Sequence, residues 1–141
     1  MERRNFLRLS VTAAAAAPAI GHAESSASGL PAGADLYYTK ESAGRWAAKT
    51  ATHLPLIEIE AREGANVTVK ITTAHEMKAY EHYIVKHALL DKNLKFIDER
   101  LFDPAKDQLA SSRFQLKNYS GKLYAVSMCN KHDVWVSEII I

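Results

Sequence analysis

Apolar and polar residues alternate with a period of two along much of the chain after residue 54. Val67, Val69 and Ile71, for example, are separated by single polar residues, a pattern typical of a β-strand with one buried face. Seven strands are predicted in this way, at residues 55–60, 67–73, 82–90, 95–102, 113–117, 122–129 and 134–141. Turn-forming residues separate these segments and no long helical pattern occurs between them, so the sequence predicts an all-β sandwich.

The first 23 residues have the features of an export signal rather than of a folded domain. The pair Arg3-Arg4 opens the segment, a short apolar run over residues 11–20 follows, and Gly21-His22-Ala23 ends it. This order is that of a twin-arginine signal peptide with its cleavage site. The apolar run is too short to span a bilayer, which needs about 20 residues. We therefore expect residues 1–23 to direct export to the periplasm and to be removed.

Residues 24–48 are predicted to be a linker and lead-in segment. Residues 24–34 are small and polar and have little capacity to pack. Residues 37–49 suit either a short helix or an extended segment, and the sequence does not decide between them. Residues 49–141 then form the β-sandwich, whose length suits one domain.

Composition and charge exclude several classes of function. The chain has 141 residues, of which 48% are hydrophobic and 24% charged, as in an ordinary globular protein. Its net charge of +2 arises in the first 23 residues, which hold three arginines and one glutamate, so the exported chain is neutral. A neutral chain gives no electrostatic reason to expect binding to nucleic acid or anionic lipid. A single cysteine excludes an internal disulfide framework and a zinc site built from several thiolates.

Four histidines and the single cysteine all lie at predicted strand ends or in loops. These five residues are His53, His75, His82, Cys129 and His132. His75 and His82 flank a loop between two strands, and closure of that loop brings them near each other. The turn Cys129-Asn-Lys-His132 places a thiolate and an imidazole three residues apart. Because imidazole and thiolate are common metal ligands, their concentration at these turns predicts a shared metal site.

His87 is interpreted differently from the other histidines. It follows His82 by five residues on the same predicted strand, so strand alternation turns it to the opposite face. We therefore predict a structural or surface histidine at this position. Tyr83 and Trp135, which neighbour the predicted ligands, are interpreted as packing residues.

Four imidazoles and one thiolate favour iron over other metals. Structural zinc is tetrahedral and takes four ligands, so five protein ligands fit it poorly. Blue-copper centres use two histidines, one cysteine and a weak axial methionine, and no methionine follows His132. Octahedral iron has six positions, so five protein ligands leave the sixth one open. A thiolate opposite an open position pushes electron density onto the metal, which favours reduction of an oxygen species.

Three segments together resemble superoxide reductase, the neelaredoxin and desulfoferrodoxin iron-binding domain. They are His53-Leu-Pro-Leu-Ile-Glu, His75 with Glu81-His82-Tyr-Ile, and Cys129-Asn-Lys-His132-Asp-Val-Trp135. The resemblance covers residues 49–141 in the family's order and implies a seven-stranded immunoglobulin-like sandwich. It does not include the rubredoxin-like module of desulfoferrodoxins, which needs four cysteines.

The resemblance also implies the chemistry of the site. One mononuclear iron would alternate between the ferrous and ferric states, with His53, His75, His82 and His132 as equatorial ligands and Cys129 as the axial thiolate. Superoxide would be reduced to hydrogen peroxide at the vacant sixth position, and an external donor would supply the electron.

The sequence departs from the family's pattern directly before the first histidine. The family usually has a lysine there, often after a glutamate, whereas this chain has Ala51 and Thr52. Lys49 and Lys131 are therefore predicted to attract superoxide electrostatically in its place, and Lys78 is a further candidate.

Two turns beside the predicted ligands also depart from the pattern. Glu76 replaces the usual proline in a loop that is one residue longer than usual, and Asp133 replaces the glycine after the last histidine. The missing lysine favours a second function, a periplasmic iron-binding redox carrier without efficient superoxide turnover. A third, a metal-free sandwich that binds a partner, would leave the four histidines unexplained.

The last predicted strand closes with Glu138-Ile-Ile-Ile, which is either buried or faces another subunit. Since superoxide reductases are often oligomeric, the resemblance implies a homo-oligomer. No motif identifies the electron donor.

Overall fold

The computed structural model describes residues 35–141, which contain seven β-strands preceded by a short helical segment. The strands are β1 (Leu56–Glu63), β2 (Asn66–Thr73), β3 (Ile84–Leu90), β4 (Phe96–Leu101), β5 (Ala110–Lys117), β6 (Lys122–Cys129) and β7 (Val134–Ile140). A 3₁₀ helix at Gly44–Lys49 runs directly into α1 (Thr50–His53). Within the described range, neither helix has the length and apolarity needed to cross a membrane. The number and order of the predicted strands are confirmed.

The strands form two antiparallel sheets that pack as a sandwich. One sheet has three strands in the order β1-β2-β5, and the other has four in the order β4-β3-β6-β7. This is an immunoglobulin-like arrangement in which β4 lies beside β3 rather than beside β5. The predicted fold class is confirmed.

Alternate residues of the two sheets meet in an apolar core. Val67, Val69 and Ile71 of β2 are buried, while the residues between them are partly exposed, as the period of two requires. They belong to the same buried cluster as Leu89 of β3 and Leu123 of β6, from the opposite sheet. Burying one such side chain contributes about 1.5–3 kcal/mol, so this core supplies much of the attraction between the sheets.

The lead-in segment lies along the outer edge of β7. The Tyr38 N–H donates to the Val134 carbonyl at 2.8 Å, and the Val136 N–H donates to the Tyr38 carbonyl at 2.8 Å. The Tyr38 ring is buried and packs on Trp135, with ring centroids 5.5 Å apart. Both conformations that the sequence left open therefore occur, since the segment is extended at Tyr38 and helical from Gly44.

The connection between β2 and β3 is a turn closed by His82 itself. β3 begins at Ile84, so His82 lies before the strand rather than in it, contrary to the predicted bounds. His82 instead pairs with Lys78 in an isolated bridge, in which the Lys78 N–H donates to the His82 carbonyl at 2.8 Å. This turn fixes the position of the His82 ring.

Candidate metal centre

The five predicted ligands converge at one end of the sandwich. His53 is the last residue of α1, His75 and His82 flank the connection between β2 and β3, Cys129 ends β6, and His132 lies in the turn before β7. The three-stranded and the four-stranded sheet therefore both lead into the cluster. The candidate ligand atoms of all five residues lie within 4.8 Å of one another.

The imidazole nitrogens have the spacing of an equatorial ligand set. His53 Nε2 lies 2.9 Å from His132 Nδ1, which lies 3.0 Å from His82 Nε2. His82 Nε2 in turn lies 3.0 Å from His75 Nε2. A square of nitrogens around a metal with bonds of about 2.1 Å has edges of about 3.0 Å. The four rings therefore fit one metal ion.

The Cys129 sulfur lies near the same group of nitrogens but farther from them. Its Sγ is 3.7 Å from His75 Nε2 and 3.6 Å from His132 Nδ1. The backbone N–H of Lys131 donates to Sγ at 3.5 Å, and the residue is buried. The thiol is thus placed to be a fifth ligand of a metal bound by the imidazoles.

Hydrogen bonds at the Nδ1 atoms of His53 and His75 leave the lone pairs on their Nε2 atoms, which face the cluster. His53 Nδ1 lies 3.1 Å from the Lys49 carbonyl oxygen, and His75 Nδ1 is bonded to the Glu76 carbonyl oxygen. A carbonyl oxygen only accepts, so each Nδ1 carries the proton and a neutral ring keeps its lone pair on Nε2. Because both Nε2 atoms face the cluster, this donor set suits a cation.

Burial keeps the imidazoles in the neutral form that binds metals. It lowers the pKa of His53 from the ordinary 6.5 to about 4, and the neighbouring imidazoles add to this effect. The pKa values of His75, His82 and His132 are also lowered, in each case mainly by burial. Burial raises the pKa of the Cys129 thiol, so a metal ion must displace its proton on binding.

The lysines predicted to guide superoxide have different surroundings. The charge of Lys49 helps to lower the pKa of three of the imidazoles. Lys131 acts on two of them and also lowers the pKa of the Cys129 thiol, against the effect of burial. Lys78 is paired with the Glu76 carboxylate at 2.8 Å, with both side chains largely exposed. Lys49 and Lys131 therefore both act on the cluster electrostatically.

The sequence did not predict that the lead-in segment forms part of the wall of this centre. Asp133 accepts hydrogen bonds from Trp46 Nε1 at 2.7 Å and from Arg45 Nη2 at 2.5 Å. Its φ of 62° lies in the left-handed region that favours glycine. The one signal in the sequence was the departure from the family's glycine at this position, because a charged residue there needs a partner.

His87 and Trp135 lie deeper in the sandwich than the ligand cluster. His87 is completely buried on β3, so the structural interpretation is right and the surface alternative is wrong. Because His82 precedes β3, the alternation argument that related the two histidines does not apply. Trp135 is completely buried 6.0 Å from the His53 ring, which confirms a packing role. Tyr83 is only half-buried.

Comparisons with known proteins agree with this centre. A family model described as Desulfoferrodoxin matches residues 45–138. A superoxide reductase of Pyrococcus horikoshii is 31% identical over 110 residues, which cover 68% of this chain and 90% of the relative.

Solved structures of superoxide reductases superpose on this chain over most of their length. A variant of superoxide reductase (neelaredoxin) from Ignicoccus hospitalis superposes with a TM-score of 0.66 and 26% identity, covering 79% of this chain and 98% of that one. The reduced form of superoxide reductase (neelaredoxin) from Archaeoglobus fulgidus gives a TM-score of 0.59 and 25% identity, covering 76% and 98%. Fold and cluster together define a β-sandwich protein with four histidines and one cysteine placed to hold one metal ion. The chain belongs to the desulfoferrodoxin family.

Proposed function

We propose that the protein is a non-haem iron superoxide reductase, which reduces superoxide to hydrogen peroxide. The observation that carries this proposal is the convergence of four imidazoles and one thiol within 4.8 Å. This set has the composition of the iron centre that the sequence resemblance implies. The relatives described above, which the chain matches over most of their length, are superoxide reductases.

In its ferrous state, one iron ion held by these five side chains would supply one electron to superoxide. Superoxide, one electron and two protons give one molecule of hydrogen peroxide, so an external donor must return the electron after each turnover. His53 and His75 keep their lone pairs inward through their Nδ1–H bonds to backbone carbonyls. Cys129, ionised on metal binding, would place a negative charge beside the iron, which would favour electron transfer to the substrate.

We further propose that Lys49 attracts superoxide in place of the lysine that is missing at position 52. In support, the Lys49 charge acts on three of the imidazoles. We assign Lys131 a similar electrostatic role on the side of the thiol, since its positive charge lowers the pKa of the Cys129 thiol, against the larger effect of burial. Its ammonium lies 3.9 Å from the Glu81 carboxylate, which partly offsets its charge. Positive charges near a site raise the rate of encounter with an anion, less so as salt increases.

The visible spectrum of protein purified without oxygen, before and after oxidation and with iron quantified, tests the centre. We expect a thiolate-to-ferric charge-transfer band that is absent from Cys129→Ser. Superoxide generated by pulse radiolysis then tests the reaction, and its loss should be proportional to the ferrous iron content. Protein without iron and without the band would overturn the proposal.

The alternative, an iron-binding redox carrier without efficient turnover, shares the same centre. It predicts the charge-transfer band but no accelerated loss of superoxide. The comparisons do not favour it, because the relatives are named for the reductase activity.

Homo-oligomer formation remains part of the proposal. The support is the resemblance to superoxide reductases, and we place the subunit contact at Ile140, whose side chain at the end of β7 is 72% exposed. Sedimentation velocity of the purified protein, compared with an Ile140→Ser variant, tests it. A monomeric wild-type protein would contradict it.

We also propose that residues 1–23 are a twin-arginine signal and that the protein acts in the periplasm. These residues lie outside the described part of the chain, and the support is the order of Arg3-Arg4, apolar run and cleavage segment. Replacing both arginines by lysine should leave uncleaved protein in the cytoplasm. Cell fractionation with immunoblotting measures this, and a variant that is exported normally would contradict the proposal.

A further inference from the structure

A second group of buried polar side chains lies directly beneath the ligand cluster. Apart from the ligands His53 and His75, the buried polar residues of the described range are four: Thr73, His87, Ser112 and Ser127. We refer to these four as the buried polar chain. Each is at most 1% exposed, so none can exchange its hydrogen bonds for water.

The four side chains are joined end to end. Ser112 Oγ lies 2.8 Å from His87 Nδ1, and His87 Nε2 lies 2.9 Å from Thr73 Oγ1. Thr73 Oγ1 donates to Ser127 Oγ at 2.9 Å. Since this bond uses the one threonine proton, His87 Nε2–H donates to Thr73 and His87 Nδ1 accepts from Ser112. A neutral imidazole therefore satisfies both of its neighbours.

Every bond of the buried polar chain crosses from one sheet to the other. Thr73 and Ser112 belong to β2 and β5 of the three-stranded sheet, whereas His87 and Ser127 belong to β3 and β6 of the four-stranded sheet. The hydrophobic attraction between the sheets is non-directional. Hydrogen bonds between buried groups fix donor–acceptor distances to a few tenths of an ångström. The buried polar chain therefore sets the relative position of the two sheets at this end.

The strands that hold Thr73 and Ser127, β2 and β6, lead directly to two of the candidate ligands. Thr73 precedes His75 by two residues, and a tight turn couples them, since the His75 N–H donates to the Thr73 carbonyl at 2.8 Å. Ser127 precedes Cys129 by two residues on β6 and faces the same side. Sliding of β2 against β6 would thus change the position of the Cys129 sulfur relative to the His75 ring.

We propose that His87 is a positioning residue of the candidate metal centre, which acts through Thr73 and Ser127 to fix the Cys129 sulfur relative to the imidazoles of the ligand cluster. The inference rests on the proposed function only in requiring that the five ligands bind a metal. Loss of groups hydrogen-bonded to metal ligands typically lowers metal affinity about 10–100-fold. The buried polar chain acts on the ligands one step farther out, through the backbone, so we expect an effect of about 10-fold, at the lower end of this range, when it is interrupted.

Two neighbouring threonines provide a matched test. Thr73→Val removes the central hydroxyl at nearly constant volume, and Thr73→Ser restores a hydroxyl. Thr72→Val is the control, because the Thr72 hydroxyl is buried without a hydrogen-bond partner among the described residues. If Thr73→Val fails to fold, Ser127→Ala interrupts the same chain with a smaller change.

Each variant is titrated with Co²⁺ and with Fe²⁺, and the thiolate-to-metal charge-transfer band and the metal affinity are measured beside the thermal midpoint. We expect Thr73→Val to shift the band and to bind about 10-fold more weakly or worse, Thr73→Ser to recover both, and Thr72→Val to match wild type. His87→Leu should behave as Thr73→Val.

Variants that lower the thermal midpoint but keep the wild-type band and affinity would overturn the inference, because a merely structural role predicts that result. A wild-type protein that binds neither metal would instead overturn the proposed function. The two failures are therefore distinguishable.

Discussion

The indole of Trp46 lies edge-on against the imidazole of His132, with ring centroids 4.7 Å apart and planes at 81°. The Asp133 carboxylate holds the indole there by accepting the Trp46 Nε1–H at 2.7 Å. A residue of the lead-in segment, far from His132 in sequence, thus restrains a predicted metal ligand and shields it from water. The lead-in is therefore part of the functional site as well as of the fold.

Replacement of Asp133 by glycine should weaken this restraint. Glycine adopts the φ of 62° without strain, so the variant loses the carboxylate while keeping the backbone. We expect faster loss of iron to a chelator and a loss of about 1 kcal/mol in the free energy of unfolding. Asp133→Asn, which keeps an acceptor for Trp46 Nε1, should fall between glycine and wild type. Equal iron-loss rates for all three proteins would show that Asp133 does not restrain the site.

Acid should remove the metal at a pH lower than ordinary histidines would suggest. The pKa of His53 is lowered to about 4, and those of the other three imidazoles are lowered too, so protons compete with the metal for these four rings only below the ordinary 6.5. We expect iron to be retained at slightly acidic pH and lost progressively as the pH approaches 4. Iron content after dialysis at a series of pH values measures this. Undiminished iron at pH 4 would contradict the four-histidine centre.

Metal binding should also release a proton. Because burial raises the pKa of the Cys129 thiol, that thiol is protonated at neutral pH before the metal binds. We expect about one proton per metal ion, and about none with Cys129→Ser. Calorimetric titration in buffers of different ionisation enthalpy measures the number. If wild type and Cys129→Ser release the same number of protons, the released proton does not come from Cys129.

The stability of the metal-free protein should depend on His87 in acid. Burial lowers the pKa of His87 from 6.5 to about 3. The neutral form is favoured by folding, so this stability is complete above about pH 6.5 and is lost as the pH falls towards 3, at up to about 1.4 kcal/mol per pH unit. In His87→Gln this loss should be absent, so its free energy of unfolding should approach that of wild type as the pH falls. Urea unfolding of both proteins at several pH values tests this. If the free energies of unfolding of wild type and His87→Gln fall in parallel with pH, the prediction is wrong.

The two lysines should differ in their effect on superoxide. Lys49→Ala removes a charge that acts on three of the imidazoles, so we expect a several-fold slower second-order reaction with a weaker dependence on ionic strength. Lys131→Ala should have a smaller effect, because its ammonium is near Glu81. Thr52→Lys, which restores the family's residue, should accelerate the reaction of Lys49→Ala. Stopped-flow or pulse-radiolysis rates at two salt concentrations measure all three, and a Lys49→Ala rate equal to wild type would exclude the role of Lys49.

Most of the sandwich could be predicted because apolar alternation marks strands that pack on an apolar core. The first three residues of β5 were not predicted, because apolar alternation is absent there. Its inward positions there are Ala110 and Ser112, which are buried but neither large nor strongly apolar. Ser112 faces the polar His87 in the interior rather than an apolar side chain, so no local pattern indicated a strand. His82 was wrongly included in β3 because sequence alone does not show where a turn ends.

The ligands could be predicted because imidazole and thiolate side chains are few and lie at strand ends. Their surroundings could not, because they depend on contacts between distant segments. Trp46 and Asp133 are 87 positions apart, and His87 and Ser112 are 25 apart on different sheets. Such contacts leave no periodic signal in the chain.

His53 and His132 are 79 positions apart in sequence, yet their ring nitrogens lie 2.9 Å apart. A metal ion bound to both would close a loop of this length, as a disulfide does in many secreted proteins. With only one cysteine, the chain has no internal disulfide to do this. In the chain-entropy treatment, a cross-link that encloses about 80 residues raises the free energy of unfolding by about 4.5 kcal/mol. Metal loading would therefore act as the protein's long-range cross-link, and the loaded form should resist unfolding and proteolysis that the empty form does not.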